Sequence, residues 1–137
     1  MRRLFSVAVV ALLPAVALVG CGADSGPLSP TTLSGTWITP NEVPGSSTVW
    51  TLSVNGSTVT GTGTWSGEAC CSGTIAISGA VTNDEVILDV TVTTTAGAVL
   101  GPPVHYRFDG PVPMADTLQG VITYDDGRSG VTRLVRR

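Results

Sequence analysis

The chain has no lysine, one histidine and three cysteines in 137 residues. Each scarcity excludes something. All seven basic residues are arginines, and they form no stripe of the kind a nucleic-acid partner needs. The densest basic stretch is Arg133, Arg136 and Arg137, and it reads as a solvated C-terminus. A single histidine and no second cysteine pair leave no zinc-ligand set. No Gly-x-Ser-x-Gly elbow occurs. His105 is the one candidate general base, and Asp109 falls on the same strand face. It alternates with Val104 and Tyr106, so it is expected to face solvent. Glu68 near Cys70, and the pair Asp125-Asp126, are the other candidates for carboxylate or calcium chemistry. Asp125-Asp126-Gly127 lacks the spaced oxygen ligands of a calcium loop and suits a tight turn instead. The expectation is a protein that is not an enzyme, with no catalytic residue, no metal and no cofactor.

Long apolar runs are also missing, with one exception at the start. Arg2 and Arg3 precede Leu4 to Val19, which only Ser6 and Pro14 interrupt. A bilayer span needs about 20 apolar residues, and the position and flanks suit a cleaved export signal better than a permanent helix. The run ends Leu18-Val19-Gly20-Cys21, which resembles the lipobox of bacterial lipoproteins. That resemblance implies a diacylglyceryl thioether on Cys21, cleavage before it, and a fatty acyl chain such as palmitate on the new amine. Two chains hold a protein on a membrane durably. The implied location is the cell envelope, membrane-anchored and extracytoplasmic. Residues 1–20 are then signal, 21–32 the lipidated cysteine and a Gly/Pro/Ser-rich flexible tether, and 33–137 one domain. Loss of Arg2 and Arg3 takes the formal charge from −3 to −5. Cys70 and Cys71 remain, in a compartment where disulfides persist. They are a candidate vicinal disulfide stiffening a 66–73 loop.

From Leu33 onward the hydrophobic period is two rather than 3.6. Strands are expected at about 33–39, 47–54, 57–65, 73–81, 85–93, 104–109, 117–124 and 129–135. Val59, Gly61, Gly63 and Trp65 alternate with Thr58, Thr60, Thr62 and Thr64, the cleanest pattern in the chain. Asn55-Gly56 and Asp126-Gly127 are tight-turn pairs. Eight short strands joined by turns suggest an antiparallel up-and-down barrel, which leaves no reactive edge. A two-sheet sandwich is the alternative. A membrane-spanning barrel would set rows of threonine against lipid.

Leu33-Ser34-Gly35-Thr36-Trp37 resembles the Gly-x-Trp opening of lipocalin and avidin-type barrels. The resemblance implies that Trp37 packs at one end of the barrel. Ile38-Thr39 stand where avidins carry Tyr-Asn, and no tryptophan follows Trp65. The barrel is therefore implied and the biotin ligand is not.

Trp37, Trp50, Trp65, Tyr106 and Tyr124 all fall on inward faces. They are the candidate lining of a pocket for a small apolar ligand, and a solid core is the alternative. Inward Gly35, Gly61, Gly63 and Gly120 would leave space beside them. Two functions follow. One is a non-enzymatic lipoprotein binding a small apolar or amphipathic ligand. The other is a structural lipoprotein with a filled barrel that meets an envelope protein through an apolar loop, 98–100 or 112–114. Neither calls on nucleic acid.

Overall fold

The computed structural model describes residues 30–40, 44–68, 70–97, 100–113 and 115–137. The signal, the lipobox with Cys21, and the tether up to residue 29 lie outside them. Among the described residues no helix is long and apolar enough to cross a membrane.

Eight strands form: β1 (Gly35–Ile38), β2 (Ser47–Asn55), β3 (Thr58–Ser66), β4 (Cys71–Val81), β5 (Glu85–Gly97), β6 (Val104–Pro111), β7 (Thr117–Tyr124) and β8 (Ser129–Arg136). Each pairs antiparallel with the next, and β1 pairs with β8, so the sheet closes into a barrel. The sandwich alternative is thereby ruled out. β-branched residues favour this extended backbone, and Gly56 and Gly127 supply the positive φ of two turns, +62° and +85°. Pro30–Leu33, whose first three residues read as tether, wind into a 3-10 turn. β5 runs on to Gly97, past the expected end at 93, because Thr93, Thr94, Ala96 and Gly97 keep pairing with β4 across an irregularity at Ser72/Gly73 that leaves Thr95 without a register partner.

The core sits inside the barrel. Trp50 and Phe108 meet edge to face, with ring centroids 6.0 Å apart, and Leu52, Val59, Ile75, Ile77, Leu88 and Val90 pack around them. An eight-stranded interior is just wide enough to be filled by side chains. The inward glycines do not open it further. A Cβ on Gly120 would lie 2.6 Å from Phe108 Cζ, and one on Gly61 would lie 2.7 Å from Leu52 Cδ2. These glycines let large neighbours close in on the backbone, so the space expected beside them is occupied.

The meander gives the barrel two unlike ends. The chain enters at one, where the turns after β2, β4 and β6 also gather. Leu33 is fully buried there, and Trp37 donates from Nε1 to its carbonyl at 2.9 Å. Arg136 lies across Trp37, its guanidinium 4.5 Å from the ring centroid. It donates to the Ser34 carbonyl at 2.8 Å and to the Thr32 carbonyl, and pairs with Asp116 at 3.1 Å. So Arg136, expected to be solvated, instead ties the last strand to the entering chain. Val112 and Pro113, expected in an exposed apolar loop, are buried at this end. The Val112 N–H donates to the Asp84 carbonyl at 3.1 Å.

Candidate functional site

The loops between β1 and β2, β3 and β4, β5 and β6, and β7 and β8 gather at the opposite end, the mouth. Here the interior is not filled. A pocket of about 260 Å³ is lined by Trp65, Val92, Thr94, Val104, Tyr106 and Tyr124. Each reaches it by strand alternation. Trp65 is the last inward residue of β3 and Val92 the inward partner of Val104. Tyr106 and Tyr124 are directly opposed across β6 and β7, which sets their rings 5.4 Å apart at 56°. For scale, a dry cavity of ~150 Å³ accommodates benzene.

Of the five expected lining residues, the fold brings Trp65, Tyr106 and Tyr124 together. It sends Trp37 and Trp50 elsewhere. Trp37 is shut into the closed end and Trp50 into the packed middle, each filling the volume a ligand would need. Val92, Thr94 and Val104 complete the lining without having been singled out. Their places in the period-two pattern held the signal. Val104 is 48% exposed although it continues the inward row of Tyr106 and Phe108, because it stands on the rim.

The mouth is chemically quiet inside. Burial first, and Tyr124 second, push the Tyr106 phenol well above its ordinary value of 10.0, so at neutral pH it is an uncharged hydroxyl. Trp65 Nε1 is buried with no acceptor, and it rests on the bare face of Gly73. Any side chain at Gly73 would strike the Trp65 indole and the Thr93 carbonyl. The adjacent loop carries the Cys70–Cys71 disulfide. Gly67 bridges the two features. A Cβ there would sit 3.6 Å from Cys70 Sγ and 3.7 Å from Trp65 Cζ3, while its N–H donates to the Cys71 carbonyl at 2.8 Å.

Outside the rim the surface is polar. A second pocket, about 240 Å³, is lined by Pro103, Val104, His105, Tyr124, Asp125, Asp126 and Arg128. Arg128 pairs with Asp126 at 2.7 Å and lies 5.2 Å from the Tyr124 ring centroid. Its backbone N–H first, and its guanidinium second, hold the Asp126 carboxyl below the usual carboxylate range. His105 faces solvent, and its Nδ1 shares a hydrogen bond with the Thr91 hydroxyl at 3.0 Å. Asp109, its expected companion, is bound at 2.8 Å by Arg107, whose own pKa that hydrogen bond raises. Among the described residues no three His, Cys, Asp or Glu side chains gather as a metal site. What this end offers is shape, apolar contact and aromatic faces. No family model, curated protein or solved structure matches the chain.

Proposed function

We propose that this chain is a lipid-anchored, non-enzymatic protein of the cell envelope whose barrel mouth binds a small apolar or amphipathic ligand. The observation that carries the reading is the convergence of Trp65, Tyr106 and Tyr124 on one open pocket while the rest of the barrel is packed. An apolar recess with a few polar groups at its rim is the usual form of a small-molecule site. The placement of the chain supports the anchor as well. A tether from Cys21 would leave from the closed end, so the mouth would look away from the membrane. The eight residues 22–29, ahead of the 3-10 turn at Pro30–Leu33, reach at most about 29 Å when extended.

Two experiments test the two halves. Cys21→Ser should abolish fatty-acid labelling in cells, because the sulfur is the acceptor; equal labelling of variant and parent would refute the anchor. For the mouth, the purified protein is titrated with 2-phenylethanol and heat of binding is recorded. Trp65→Ala should weaken binding at least tenfold, since a buried aromatic contact is worth about 1.5–3 kcal/mol. Unchanged affinity would refute the site.

The filled middle and closed end favour a second reading, a solid barrel that meets a protein partner. Leu100 is 67% exposed in the mouth loops and would serve as its contact. That reading gains if no small probe binds and Leu100→Asp abolishes capture of an envelope partner.

A further inference from the structure

We infer that the ligand of the mouth is a small organic cation, an ammonium group carrying a single ring or a short branched alkyl chain. The inference rests on the binding reading above and adds a charge to it. The aromatic pocket and the polar pocket share Val104 and Tyr124 as a common wall. A molecule seated against Tyr106 therefore has only the edge of Tyr124 to cross before it meets the turn at 125–128.

The charges on that turn are unequal. Two carboxylates, Asp125 and Asp126, face one guanidinium, so the formal balance is 1 − 2 = −1. The guanidinium is already engaged, by Asp126 at 2.7 Å and by the face of Tyr124 at 5.2 Å. Asp125 takes part in none of the ion pairs of the described residues. It is the open charge beside the pocket, and it attracts a cation. An anionic ligand would meet Asp125 with no arginine but the engaged Arg128 in the lining of either pocket.

The pocket wall agrees with the charge. Tyr106 and Tyr124 present tilted rings 5.4 Å apart, and aromatic faces attract cations, most strongly ammonium groups stripped of water. Tyr106 stays neutral far above physiological pH, so it offers a π face and no competing charge. The chain's net charge of −3 adds a weak long-range attraction for cations over anions.

Three probes of matched ring and differing charge decide the matter: 2-phenylethylamine, 2-phenylethanol and phenylacetate. Binding of each is measured on the purified protein and on two variants, Asp125→Asn and Asp125→Lys. Asp125 is exposed, and the turn is held by other bonds, from Gly127 N–H to the Tyr124 carbonyl at 2.9 Å and from Tyr124 N–H to the Arg128 carbonyl at 2.8 Å. Both variants should therefore fold. The amine should bind about fivefold tighter than the alcohol, and the carboxylate about fivefold more weakly, the scale of one partly exposed ion pair. Added salt should shrink both ratios. Asp125→Asn should erase most of the preference and leave the alcohol unchanged, and Asp125→Lys should invert it. Equal binding of all three probes, tighter binding of the carboxylate, or a preference that survives Asp125→Asn would overturn the cation and leave the mouth site standing. Binding of none would remove the mouth site itself.

Discussion

The two ends of this barrel are made of the same residue types and put them to opposite uses. At the closed end Trp37 is fully buried, donates its indole N–H to Leu33, and lies under the guanidinium of Arg136. At the mouth Trp65 is only half-buried, its N–H finds no acceptor, and its ring forms a wall beside open space. Arg136 holds two backbone carbonyls of the entering chain. Arg128 holds only a carboxylate within its own turn and lies over the face of Tyr124. The difference teaches that a tryptophan and an arginine carry no role by themselves. The role comes from whether the chain returns to cover them. At the closed end the 3-10 turn, Val112, Pro113 and Asp116 do so, whereas at the mouth the described residues leave a pocket open beside Trp65.

The largest effect should come from breaking the closed end. Trp37→Ala is expected to cost about 3–5 kcal/mol, the range for truncating a large buried aromatic. That is much of the ~5–15 kcal/mol that holds a small domain together. The same change at Trp65 should cost well under half as much, since less area leaves water there. A denaturant melt of both variants checks the contrast, and equal losses would erase it. Next comes Arg136→Gln, which gives up the ion pair with Asp116 and weakens the grip on the Thr32 and Ser34 carbonyls. Hydrogen bonds to charged groups are worth about 1.5–3 kcal/mol, so a fall of about 2 kcal/mol is expected. Its sign is a lower denaturant midpoint with an unchanged slope.

The smallest effect belongs to the mouth and shows only in alkali. The Tyr106 phenol has a folded-state pKa above its ordinary value of 10.0, through burial first and Tyr124 second. A group whose pKa is raised by folding lends its stability in full below the unfolded value and loses it as pH rises. Stability should therefore begin to fall above pH 10, by at most ~1.4 kcal/mol per pH unit. Tyr106→Phe should remove that slope while leaving the closed end as it was. Denaturant midpoints at neutral pH and in alkali test this, and an identical alkaline fall in the variant would mean Tyr106 is not its source.

Most of the barrel was legible because its signals are local. The Thr58–Trp65 alternation and the Asn55-Gly56 and Asp126-Gly127 turns each lie within a few residues, and strand pairing follows from neighbours in sequence. Closure is a different kind of fact. The role of Arg136 depends on its register opposite Trp37, 99 positions earlier (136 − 37), although the inward rhythm of Leu134 and Arg136 hinted at it. The glycines misled for a related reason. A missing side chain reads as space, yet Gly120 and Gly61 are where Phe108 and Leu52 lean in from adjacent strands. The aromatics could be placed on the inner face from sequence. How high each sits along the barrel axis, and so whether it is core or lining, depends on the combined register of several strands.

The most direct test of the unlike ends is a map of backbone amide shifts as 2-phenylethanol is added to isotopically labelled protein. Shifts should concentrate at Trp65, Val92, Val104, Tyr106 and Tyr124, and Leu33, Trp37, Leu118 and Leu134 should stay still. Shifts centred on the closed end, or spread evenly around the barrel, would contradict the account.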